Sequence, residues 1–219
     1  QTYQVDTEQL AAATKFVLTI EPEGETGADA LMPSATKILA GMFSGDSADV
    51  NSNNTIVDAT GAVADFTAAT GTYILATPTD GMGNNERSGV WFLDNSSGSA
   101  VAGLDLPTLE DGWKYEGWAV INGQPVSSGT FTSISDADDN ASTSPYKGGA
   151  GDGPPFPGED YLQNAPSGLS FPTDLKGMTI VISVEPSPDN SALPFTFKPL
   201  AHLVPANAEN HTVISMGDG

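Results

Sequence analysis

The chain has 219 residues, with 28 acidic side chains against seven basic ones, and its formal net charge of −21 argues against nucleic acid or an anionic membrane as a partner. It contains no cysteine, so disulfides, thiolate metal sites and cysteine nucleophiles are excluded. With 24 glycines and 16 prolines among many Ser, Thr, Asn and Asp, the composition points to frequent turns and an all-β fold, and no apolar run approaches the roughly 20 residues that span a bilayer.

In chain order, residues 1–15 read as an N-terminal arm, where Asp6-Thr-Glu-Gln9 ahead of Leu10-Ala-Ala-Ala13 is placed to cap a short helix. Docked on a neighbouring molecule, it would serve as an assembly arm. Residues 16–216 are expected to form a single antiparallel β-sandwich, and residues 217–219 a tail. The opening Gln1, with no methionine or apolar leader, fits a mature exported chain, so the expected location is extracellular or at the cell surface.

Two stretches of the expected sandwich are near copies. Phe16-Val-Leu-Thr-Ile-Glu-Pro22 and Ile180-Val-Ile-Ser-Val-Glu-Pro186 each alternate large apolar residues with Thr or Ser and then Glu, and each stops at a proline. Both are followed by Pro-x-x-x-Lys-x-Leu-Ala, at Pro33 to Ala40 and Pro194 to Ala201, across a loop about three residues shorter in the second copy. A duplicated strand–loop–strand unit follows. Phe16, Leu18 and Ile20, like Ile180, Ile182 and Val184, are expected to face the core, and Glu21 and Glu185 the solvent.

Between the copies, Lys37 to Phe43, Ile56-Val57 and Gly71 to Thr77 read as strands, and Val90-Trp-Phe-Leu93 as a strand central in a sheet. Trp113 to Ile121 is the longest strand candidate; Asn122-Gly123 marks a two-residue hairpin, with the return at Pro125 to Ser128 or Thr130 to Ile134. The three tryptophans make this region the expected core centre, with a sugar-binding aromatic patch as the alternative. Further strands are expected at Phe195 to Phe197 and Thr212 to Ser215.

Residues 135–167 carry many acidic groups among Gly, Pro and Ser and lack a strand pattern, so a long functional loop is expected there. Asp136-x-Asp138-x-Asn140 places oxygen ligands at alternate positions, as calcium loops do. Ala141 and Lys147 stand where an EF-hand needs glycine and glutamate, so the expected site is a different calcium site, built from Asp136, Asp138, Asn140, Glu159 and Asp160. The competing expectation is a solvated acidic loop.

The two histidines, His202 and His211, accompany no G-x-S-x-G, H-E-x-x-H, P-loop or dinucleotide fingerprint, and no catalytic residues are assigned. The expectation is a non-enzyme.

The run Trp118-Ala-Val-Ile121, Gly123-Gln-Pro125, Gly129-Thr-Phe131 and later Glu185-Pro186 resembles the extracytoplasmic domain of RskA-type anti-sigma factors over roughly residues 113–200. The whole chain is also similar to secreted bacterial anti-sigma-like proteins that share the segments standing here at Ile74 to Asp80, Trp91 to Asp94 and Pro154 to Asp160. The resemblance implies a β-sandwich sensor or surface domain; sigma-factor inhibition belongs to a separate cytoplasmic helical domain. The leading expectation is a non-catalytic extracellular subunit that acts through protein–protein contacts, self-assembling or binding another surface protein, with calcium as stabiliser. The alternatives are a ligand-sensing module of an anti-sigma-like protein and a carbohydrate-binding or cryptic hydrolase domain.

Overall fold

The computed structural model describes residues 6–27, 32–50, 64–189 and 191–216. The strand expected at Ile56-Val57 and the tail at 217–219 lie outside them. The described chain is nearly all β, 34% strand and 4% helical, with antiparallel strand pairs throughout both units. Where the sequence predicts one sandwich over 16–216, the chain divides into two compact units: residues 1–64 with 109–113 and 186–188, and the remainder.

The first unit opens with helix α1 (Thr7–Ala12), capped as expected by Asp6, whose Oδ1 accepts the Glu8 amide at 2.9 Å. Strands β1 (Lys15–Thr19), β2 (Lys37–Ser44) and β3 (Ser47–Ala48) form a sheet in the order β1-β2-β3. Few apolar residues are buried in this unit: Ala40 and, from segment 109–113, Trp113. Phe16 and Leu18 do not face a core. They are 44% and 46% exposed, because β1 is the edge of a sheet too small to cover both faces.

The second unit contains β4 (Thr70–Leu75), β5 (Gly89–Trp91), β6 (Leu93–Asp94), β7 (Val101–Ala102), β8 (Leu104–Asp105), β9 (Trp113–Ile121), β10 (Gln124–Phe131), β11 (Gly158–Asp160), β12 (Thr179–Pro186), β13 (Leu200–Leu203) and β14 (Ile214–Met216). Trp113 itself groups with the first unit. One sheet runs β10-β9-β12-β13 and the other β11-β5-β4-β14, with β8 also on β4. Asn122 and Gly123, at φ 53° and 83°, make the primed turn that the β9–β10 hairpin requires. The two expected return segments are one strand, bulged between Ser127 and Gly129. Phe195 to Phe197 is not a strand.

Both sheets bury large side chains, including Trp118, Tyr115, Phe131, Ile180 and Ile182 from the first and Tyr73, Leu75, Val90 and Trp91 from the second, with Trp91 packed in a cluster with Ile74, Ala76, Leu93 and Phe156. Each such side chain contributes about 2 kcal/mol of transfer free energy. Packing is tight enough that a Cβ on Gly117 would stand 2.8 Å from the Phe92 ring, and one on Gly71 3.1 Å from Leu200 Cδ1. Since Trp91, Trp113 and Trp118 are all at most 4% exposed, the region forms core and presents no stacking platform for sugars.

The duplication is visible in the register. Phe16↔Gly41, Val17↔Ala40 and Leu18↔Leu39 in β1–β2 correspond to Ile180↔His202, Val181↔Ala201 and Ile182↔Leu200 in β12–β13. Beyond the ladder, Ile20 N donates to Thr36 O at 2.9 Å and Val184 N to Phe197 O at 3.0 Å, again at matched positions. The surroundings differ: β12 lies between β9 and β13, whereas β1 pairs with β2 alone among the described residues. Hence β12 is buried on both faces, and Ser183 and Glu185, at 0% and 1% exposure, are not on a solvent face.

Candidate functional site

The acidic loop is more ordered by its own hydrogen bonds than its composition predicts, and it includes strand β11. Asp160 Oδ1 accepts Trp91 Nε1 at 2.7 Å, while Oδ2 accepts the amide and hydroxyl of Thr79 at 2.7 and 2.5 Å. Glu159 accepts the Ser144 hydroxyl and, at 2.8 Å, the Asp160 amide; Asp138 accepts the amides of Gly158 and Asn140, both at 3.2 Å. Burial pushes Glu159 up to about 8 and Asp138 to about 6. Asp136 is exposed and Asn140 half-buried. Of the five expected calcium ligands, Asp138, Glu159 and Asp160 accept from protein donors, Asp138 and Asn140 both lie against Gly129, and no three of the carboxylates among them bring oxygens within 4.8 Å of one another.

The carboxylates that do converge are Glu116, Glu185 and Asp189, each offering an oxygen within 4.8 Å of the others. Position 116 follows from the β9 register, which sets Glu116 opposite Thr130, and the neighbouring β12 delivers Glu185 one residue before Pro186. Glu185 is pinned: Oε1 accepts the Ser183 hydroxyl, and Oε1 and Oε2 share the Phe195 amide at 2.9 and 3.1 Å. Ser183 Oγ in turn accepts Trp118 Nε1 at 2.8 Å. Glu116 Oε1 accepts the Ser127 hydroxyl, but its buried Oε2 has no partner. Asp189 is exposed, and its Oδ1 accepts the Ser191 amide at 2.9 Å. Burial, with added repulsion from Glu185 and Asp189, pushes Glu116 up to about 8.

Glu185 is legible in the sequence as half of a repeat, but its burial is not, because a one-face alternation says nothing of a strand covered on both sides. Glu116 carried a usable signal: a lone carboxylate inside the otherwise apolar and aromatic run Trp113 to Ile121.

His202 Nδ1 lies 3.0 Å from the Tyr73 hydroxyl, and His211 Nε2 lies 3.0 Å from Glu86 Oε2. The surface cleft lined by Asn84, Glu86, Arg87, Pro172, Asp174 and Asn210 has its guanidinium bound to Asp174 at 3.0 Å. No described helix is long and apolar enough to cross a membrane. No family model matches the chain, and no curated protein or solved structure matches it.

Proposed function

We propose that the chain is a non-catalytic extracellular subunit that assembles with a second copy of itself, by pairing β1 of one molecule with β1 of the other. The observation that carries this reading is the difference between the two copies of the repeat. The edge of β12 away from β13 is occupied by β9, and the matching edge of β1 has no partner strand among the described residues. An open edge is a row of unpaired backbone donors and acceptors that accepts another strand.

A second copy is the favoured occupant on grounds of charge. In a chain of net charge −21, the segments Lys15–Thr19, Lys37–Ser44 and Ser47–Ala48 contain no acidic residue and hold two of the seven basic ones. This is a sheet that two acidic molecules can bring together. Phe16 and Leu18, with Leu39 on the same face, and Met42 at 64% exposure on the other, supply apolar surface to either side of such a joint.

Light scattering and electron microscopy of the intact chain across concentration and salt test this. Native protein is expected to form dimers, since one β1–β1 pair uses the open edge of both molecules. Leu18→Glu, at an exposed position where folding stability changes by no more than about 0.5 kcal/mol, is expected to remain monomeric with an unchanged far-ultraviolet spectrum. A native chain that stays monomeric under every condition overturns the proposal.

A further inference from the structure

We infer that Glu116, Glu185 and Asp189 form a binding site for a hard divalent cation, Ca²⁺, at the end of the β9–β12 strand pair. This site is independent of the β1 edge and of the acidic loop in which calcium was expected.

The argument starts from what each carboxylate lacks. Glu116 is 5% exposed and lies within hydrogen-bond reach of the Asp189 carboxyl, and its Oε2 has no amide or hydroxyl donor, although its other oxygen takes the Ser127 hydroxyl. A buried carboxylate oxygen left without a donor is costly, and the fold holds it beside two further carboxylates. Lys198 is the cation that acts on Glu185, and its Nζ is committed to the Phe195 carbonyl at 2.6 Å. A single lysine does not neutralise three acids. A divalent cation supplies the missing charge and the missing partner for Glu116 together.

The geometry suits calcium. Ca²⁺ holds oxygens at about 2.3–2.6 Å, so ligands on opposite sides of the ion are about 5 Å apart; the three oxygens here lie within 4.8 Å of one another. The donor set is all oxygen, without His or Cys, which disfavours zinc and the softer metals. Two ligands are buried and rigidly placed on strands, while Asp189 is exposed, leaving one side open for entry and for water to complete the shell. The Ser183 and Phe195 hydrogen bonds orient the Glu185 carboxylate, as outer-shell donors do for metal ligands.

The repeat supplies an internal comparison. Glu21, the counterpart of Glu185, takes the equivalent Thr19 hydroxyl and Ser34 amide, but it belongs to no converging carboxylate group among the described residues. The hydrogen bonds to the glutamate thus belong to the hairpin, and the site arises where β9 adds Glu116.

The test uses the intact chain with Ca²⁺ alone, and with Tb³⁺ as a luminescent substitute excited through tryptophan. Trp118 is joined to Glu185 through Ser183, so bound Tb³⁺ is expected to show sensitised emission that Ca²⁺ displaces. Calorimetry of the native chain is expected to give one site, and chelator to lower the melting midpoint. Glu116→Gln and the exposed Asp189→Asn are each expected to weaken Ca²⁺ binding at least tenfold, while Glu159→Gln leaves it unchanged. Absence of both calcium heat and terbium emission in the native chain overturns the inference. So does Asp189→Asn binding Ca²⁺ as the native chain does, or Glu159→Gln abolishing binding.

Discussion

Glu21 and Glu185 make the same hydrogen bonds in two copies of one hairpin, yet their carboxyl groups shift in opposite directions. Exposed Glu21 is held below the ordinary glutamate value by the Thr19 hydroxyl and the Ser34 amide. Glu185 is raised, because burial beside β9 outweighs the equivalent donors. Environment, more than local sequence, decides the chemistry of a residue. The same reasoning applies to Asp160, which is fully buried and receives three donors. Burial raises its carboxyl and those donors oppose the rise. The Thr79 hydroxyl accepts the Gly148 amide at 2.7 Å and so points its own proton at Asp160, which leaves no acceptor for an amide NH₂. Asp160→Asn is therefore expected to cost about 3 kcal/mol, read as a lower denaturant midpoint at unchanged slope; a loss below about 0.5 kcal/mol would show that these bonds contribute little.

At the scale of elements, the acidic loop holds three buried carboxyls, Asp138, Glu159 and Asp160, bonded to amides, hydroxyls and the Trp91 indole, and that has a pH consequence. Glu159 has a folded-state value of about 8, against about 4.3 in an unfolded chain. Between those values the folded state holds the extra proton, so stability falls as pH rises, by at most about 1.4 kcal/mol per pH unit for one group. Asp138, at about 6, adds to the lower part of the range. Asp138, Asp160, Tyr146 and Tyr161 are titratable neighbours of Glu159. In chelator, the melting midpoint is expected to fall from pH 5 to pH 8, and Glu159→Gln to make that slope shallower without abolishing it, since Glu116 is also raised to about 8; an unchanged slope in the variant would remove Glu159 as a source.

The elements themselves were legible to different degrees. Strand β9 and its Asn122-Gly123 turn were readable because period and turn chemistry are local, and the repeat was readable because it recurs. The burial of Phe16 and Leu18 was not, since alternation marks two faces without saying whether anything covers them. Nor was the convergence of Glu116 with Glu185, which depends on β9 and β12 becoming neighbours across more than sixty residues of chain. Proximity of that kind is a property of topology, and the one local trace of it was a carboxylate among aromatics.

For the whole molecule, a net charge of −21 opposes both compaction and association, and two separate terms relieve it. Monovalent salt acts on all charges: the Debye length falls from about 30 Å at 0.01 M to about 8 Å at 0.15 M, so most of the relief is complete by that point. A bound divalent cation acts at one place and saturates. The two separate in a single experiment, in which melting midpoints are measured across NaCl in chelator and then with Ca²⁺ at matched ionic strength. NaCl is expected to raise the midpoint steeply at low concentration and weakly thereafter, equally in the native chain, Leu18→Glu and Glu116→Gln. Calcium is expected to add a further rise in the native chain and Leu18→Glu, and none in Glu116→Gln. A midpoint indifferent to low NaCl would mean that the acidic surface does not limit stability. A calcium rise that survives Glu116→Gln would mean that the ion acts on the surface as a whole.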